Sequence, residues 1–115
     1  MTQQTCDLTQ KHCVPCEGGI PPLPLSSVHE HLANLTHWKL NEHNDTIFRA
    51  FHFKNFHDTM AFVNAMAWIS HQENHHPDLT VGYNQCVVNY MTHAVKGLTE
   101  NDFICAAKVD KLFDQ

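Results

Sequence analysis

The stretch from Asn55 to Asn74 constrains the fold more than any other part of the chain. Phe56, Met60, Val63 and Ala67 recur at i, i+4, i+7 and i+11, and Phe62, Met66 and Ile69 form a second stripe beside them. That spacing is helical. An apolar face this wide needs a sheet laid against it, with a second subunit to cover what the sheet leaves bare. Pro77 cannot continue a helix and disfavours helical geometry at His76. The helix therefore ends within Asn74-His75-His76-Pro77.

Short strand patterns flank it. Upstream, Ser26 or Ser27 can cap a short helix, with Glu30 in its first turn and Val28, Leu32 and Leu35 on one side. Trp38-Lys39-Leu40 then alternates, Glu42 to Asp45 is a polar turn, and Thr46 to Phe53 is aromatic and β-branched, so the two runs read as a hairpin. Downstream, Leu79 to Tyr83 and Gln85 to His93 read as a second hairpin. Cys86, Val88, Tyr90 and Thr92 share one face of its second strand. Thr99 can cap a last helix, with Asp102 three residues on and Ile104, Cys105, Ala107, Lys108 and Leu112 at near-helical intervals. The order helix-strand-strand-helix-strand-strand-helix predicts an α+β fold: one four-stranded antiparallel sheet with helices packed on one face. With 115 residues there is material for one such domain.

Residues 1–25 read as an extended, docked N-terminal arm, because Gly18, Gly19, Pro21, Pro22 and Pro24 concentrate there; the domain proper is expected over 26–115. Cys13 and Cys16 form a C-x-x-C pair in the arm, with Cys6 and His12 nearby, but no standard zinc spacing or thioredoxin-like context is met. Cys86 and Cys105 fall in apolar patterns and are expected as buried small hydrophobes. An odd cysteine count without an export signal argues against a disulfide framework. The formal charge of −5 provides no basic footprint for nucleic acid. No run approaches the ~18 apolar residues of a membrane span, and the cytoplasm is the expected compartment. Every motif position discussed below follows residue 70, so loss of residues 1–22 is expected to spare the fold and most activity.

The chain carries 11 histidines. The seven before His71 are expected on the surface. The remainder form a pattern: His71-x-x-x-His75-His76-Pro77, then Tyr83, His93 and Asp102. On one helix His71 and His75 would share a face, and a strand closing at His93 could return to that helix end. Imidazoles beside a carboxylate suit proton transfer near neutral pH. Histidines at i and i+4 also suit zinc, although the H-E-x-x-H pattern is absent. Simple surface histidines are the third reading, and spacing alone leaves all three open.

The pattern resembles the signature of the pterin-4a-carbinolamine dehydratase family: an acidic, basic or His residue, three residues, His-His-Pro, an aromatic, His and Asp. These positions are met at His71, His75, His76, Pro77, Tyr83, His93 and Asp102. Trp38 with its polar turn, Ile47 to Phe56, and Gly97 to Asp102 resemble the family as well, and the likeness spans roughly residues 25–115. The Cys13/Cys16 arm with Glu17-Gly18-Gly19 is similar to the N-terminal extension of bacterial members.

The resemblance implies a dehydratase that converts 4a-hydroxytetrahydropterin to quinonoid dihydropterin and water, serving tetrahydropterin recycling for aromatic amino-acid hydroxylation. It implies no metal and no organic cofactor, and a homodimer or homotetramer without nucleic acid or membrane partners. It assigns His75 and His93 as the acid/base pair and His76 as a third active-site histidine that mainly binds and orients the pterin. His71, Pro77, Tyr83, Thr92 and Asp102 are expected around the substrate, Asp102 holding an imidazole in one tautomer. His71 stands where animal members commonly carry Glu. The competing expectation is a non-catalytic binding, assembly or transcriptional-cofactor protein on the same scaffold.

Overall fold

Asn55 and Asn74 bracket the long helix in the computed structural model, which describes residues 8–15 and 21–114. The helix α2 runs Phe56–Glu73; the Asn55 side chain accepts the Asp58 N–H at 2.8 Å, and Asn74 ends it in the left-handed conformation, φ 51. Asn is one of the few residues that tolerates this geometry. The other elements are α1 (Leu25–Leu32), β1 (Lys39–Leu40), β2 (Ile47–His52), β3 (Asp78–Val81), β4 (Gln85–Tyr90) and α3 (Glu100–Phe113), with single 3₁₀ turns at Leu8–Gln10 and His93–Val95.

The strands form one antiparallel sheet in the order β1-β2-β4-β3. The expected α+β architecture is present. Ile47 lies opposite Tyr90 and Phe51 opposite Cys86, so one face carries Ile47, Phe51, Cys86, Val88 and Tyr90, all buried. On the other face Ala50 and His52 are exposed. The buried face meets Phe62 and Met66 of α2 and Phe103, Ile104, Ala106 and Val109 of α3 in one core. Cys86 and Cys105 are buried there as expected. At the far end of α3, Asp110 accepts the Trp38 indole N–H at 2.8 Å and an Arg49 N–H at 2.6 Å, while the Arg49 guanidinium lies 4.3 Å from the Phe51 ring centroid.

The structure departs from the sequence reading at several points. Pro24, not Ser26 or Ser27, stands at the start of α1; its extended backbone presents a carbonyl that accepts the N–H groups of Ser27 and Val28. Strand β4 stops at Tyr90 rather than His93, because Thr92 pairs instead with Gly97 across a tight loop. A Cβ at Gly97 would lie 2.7 Å from Pro22, so only glycine fits that loop against the arm. On α2, the stripe through Phe62 and Met66 is the covered one. Phe56 and Trp68 remain 50% and 60% exposed among the described residues.

Because Asn74 alone turns the chain out of α2, Asn74→Gly should retain stability, whereas Asn74→Val should cost about 1–2 kcal/mol for a β-branched residue in left-handed geometry. Urea unfolding of the two variants checks this; equal stability would show that the turn is not constrained.

Candidate active site

The end of α2, the loop after β4 and the start of α3 meet at a cavity of about 440 Å³. His75, His76, Thr92 and His93 line it, with Glu73 and Asn101. His75 lies just past the left-handed Asn74, so it leaves the helix axis and turns toward α3. There its Nε2 lies 2.6 Å from Asp102 Oδ1.

Asp102 is fully buried. A buried carboxylate is costly unless its oxygens are hydrogen-bonded, and these are. Oδ2 accepts the Thr92 hydroxyl at 2.8 Å and the Thr99 backbone N–H at 3.0 Å, the latter as part of the expected capping box. Since Thr92 spends its one proton on Asp102, the Thr99 hydroxyl, 2.8 Å away, is the donor to Thr92. An ionised carboxylate only accepts, so His75 Nε2 carries the proton between them and Nδ1 is the ring's other nitrogen. Tyr90 lies nearly parallel to the His75 ring, at 5.9 Å and 8°. Burial pushes the Tyr90 phenol well above its usual range, so it forms an uncharged platform.

The arm forms another wall. Glu73, the last residue of α2, accepts the Cys13 N–H at 2.7 Å and lies 3.1 Å from His12 Nδ1 and 3.8 Å from Lys108 Nζ. Burial works to raise the Glu73 pKa, but the Cys13 N–H, His12 and Lys108 outweigh it and hold the carboxyl below its ordinary range. The Cys13 thiol turns inward, 3.5 Å from the Cys105 sulfur. That neighbour, together with burial, pushes the Cys105 thiol far up and keeps it neutral. Cys13, Val14 and Pro15 line the cavity. The expectation that the arm is dispensable therefore does not fit the packing. Cys6 and Cys16 lie outside the described residues.

The structure gathers His75, His76, Thr92 and His93 around the cavity, with Asp102 behind them. It does not gather the rest. His71 is exposed and packs on Trp68 at 5.6 Å, because the left-handed turn at Asn74 breaks the i, i+4 relation with His75. Tyr83 is 66% exposed, and its carbonyl accepts the Thr59 hydroxyl at the start of α2. The cavity lies beyond the other end of that helix, and the stretch from Thr59 to Glu73 alone spans about 21 Å at ~1.5 Å per residue. Pro77 directs the chain into β3 and does not line the cavity. His93 opens a 3₁₀ turn rather than closing β4. Of the seven earlier histidines six are exposed as expected; the exception is His31, half-buried and stacked on Phe103 at 4.7 Å.

Sequence reasoning missed Glu73 and Asn101. Glu73 gave a signal: a carboxylate at a helix C-terminus opposes the helix dipole and needs a compensating partner. Asn101 gave none.

Comparison with known proteins adds a family. Residues 21–112 match the family profile described as Pterin 4 alpha carbinolamine dehydratase. The chain belongs to this family. A Nitrosomonas europaea relative, provisionally named a pterin-4-alpha-carbinolamine dehydratase, is 59% identical over 109 residues, covering 94% of this chain and 95% of its own. A Legionella pneumophila relative with the same provisional name is 60% identical over 109 residues, 94% and 96% covered. Among solved structures, a transcriptional coactivator/pterin dehydratase from Brucella melitensis superposes with a TM-score of 0.76 at 31% identity, covering 79% of this chain and 97% of that one. A pterin dehydratase-like protein identified as a RuBisCO assembly factor in the alpha-carboxysome gives a TM-score of 0.57 at 25% identity, covering 65% and 87%.

The lowered Glu73 pKa makes the arm acid-sensitive. Its stabilisation is complete above the ordinary carboxylate value of 4.5 and is lost as pH falls below that value and through the lowered folded one. Glu73→Gln should be less stable than the parent by about 1 kcal/mol at pH 6, with the gap narrowing toward pH 3. Urea unfolding at both pH values measures it; a gap independent of pH would contradict the assignment.

Proposed function

We propose that this chain catalyses dehydration of a 4a-hydroxytetrahydropterin to the quinonoid dihydropterin and water. The observation that carries the reading is the buried Asp102 carboxylate holding His75 at a cavity that His76 and His93 also line. In the reaction the C4a–O bond breaks, the N5–H proton leaves, and a C4a=N5 double bond forms. The hydroxyl departs as water once protonated.

With Nε2 committed to Asp102, His75 offers Nδ1 as the base for the N5 proton. The imidazolium that forms is stabilised by the carboxylate at 2.6 Å, which needs no reorganisation during the step. His93, exposed on the cavity wall, supplies the proton to the departing hydroxyl. His76 orients the ring. A base and an acid on separate elements suit a reaction in which one proton is taken and one given at neighbouring atoms. Each is worth ~10²–10⁴-fold. The role in tetrahydropterin recycling belongs to the same reading.

The assembly-factor relative shows that the scaffold also occurs in a protein identified with another role. Three histidines, His75, His76 and His93, around one cavity favour the enzyme.

The test is to generate the 4a-carbinolamine and follow its dehydration with and without protein. Acceleration over the spontaneous rate is expected. His75→Ala and His93→Ala should lower kcat by about 10²-fold or more, and His76→Ala should mainly raise KM. No acceleration by the parent protein would refute the enzyme reading. A His76→Ala variant losing turnover at normal KM would reverse the division of roles.

A further inference from the structure

Two buried polar side chains beside the cavity are committed to the backbone of the arm. Asn101 is 5% exposed; its amide oxygen accepts the Val14 N–H at 3.0 Å and its amide nitrogen donates to the Val14 carbonyl at 2.6 Å. Glu73 is 9% exposed and accepts the Cys13 N–H. A buried amide or carboxylate deprived of its partner costs free energy, so both side chains require the arm to be in place. Leu8, buried in the core, and Lys108, which donates to the Thr9 carbonyl at 2.9 Å, fix the segment upstream.

The strap is thus tied by its backbone, and the Cys13 thiol is turned away into the core. What the arm still presents to the cavity is Val14 and Pro15. Val14 lines the cavity and is 66% exposed, and the other apolar residues of the lining are Pro15, Met91 and Ala94. The segment also lies outside residues 21–112, which carry the family match. An exposed valine held by two hydrogen bonds to Asn101, in a segment itself tied down on both sides of Cys13, is a preorganised apolar surface, and preorganisation spares a binding site the cost of ordering a loop.

We infer that the arm is a built wall of the substrate cavity and that Val14 is a substrate-positioning residue whose isopropyl group packs against the flat ring system of the bound pterin. This rests on the pterin reading given above. Val14 contributes no proton and no charge. Its contact is made alike with bound substrate and transition state, so its loss appears in affinity and KM, not in kcat.

The experiment measures binding of 7,8-dihydropterin by calorimetry, together with carbinolamine turnover, for the parent, Val14→Ala and Val14→Asp. Val14→Ala should weaken binding and raise KM about three- to tenfold, the loss expected for one or two covered carbons, with kcat changed less than about twofold. Val14→Asp should weaken both by more. Alkylation of Val14→Cys by iodoacetamide, followed on the arm peptide by mass spectrometry, should be slowed by 7,8-dihydropterin. Parent-like binding and KM in both variants, a fall in kcat at constant KM, or alkylation unaffected by the pterin would overturn the inference. A parent protein that neither binds 7,8-dihydropterin nor accelerates dehydration would instead remove the pterin reading, and this inference with it.

Discussion

The buried carboxylate of Asp102 joins three separate parts of the chain: the turn after α2 through His75, the loop after β4 through Thr92, and the cap of α3 through Thr99. Each donor is in place only when its own element ends correctly. Left-handed Asn74 points His75 inward, the Thr92–Gly97 bridge stops β4, and the capping box starts α3. In a buried site of low effective dielectric these bonds are strong when complete and costly when one is missing. The same carboxylate that joins these elements also sets the chemistry of the cavity, because it decides which nitrogen of His75 is free.

Helix α3 carries this arrangement at one end and a second ionic tie at the other. Asp110, held by Arg49 and Trp38, fixes the C-terminal half of α3 to β2 and to the residue just before β1. Between the two, Phe103, Ile104, Ala106 and Val109 fill the core. The helix cannot slide along the sheet without breaking one end or the other, so the distance from the sheet to Asp102 is fixed. The helices behind the site are held, while the arm, the residues after α2 and the loop after β4 supply its walls from segments without long regular structure.

How much of this was legible depended on range. The helix α2 was legible because periodicity and its Asn55 and Asn74 ends agree with one another, and the two hairpins because alternation and turn residues do. Thr99 and Asp102 were legible as a cap because capping is local. What failed was non-local or turned on a single backbone torsion. Asn74 in left-handed geometry separates His71 from His75, and no periodicity reports that. Thr92 prefers Gly97 to a further sheet partner, which moved His93 from a strand into a turn. Glu73 and Asn101 bind arm residues some sixty and eighty-seven positions away, beyond any local pattern. The resemblance carried by His75-His76-Pro77, His93 and Asp102 identified the family, but it did not distinguish cavity residues from Tyr83, which lies at the opposite end of α2.

The central claim is that Asp102 fixes His75 with its proton on Nε2 and leaves Nδ1 as the base. Nitrogen-15 NMR of the imidazole rings near neutral pH reads the tautomer of each histidine directly. The account predicts that neutral His75 is protonated at Nε2 alone, and that Asp102→Asn, with its fold intact, disturbs this preference. A His75 ring protonated at Nδ1, or one exchanging freely between both tautomers in the parent protein, would contradict it.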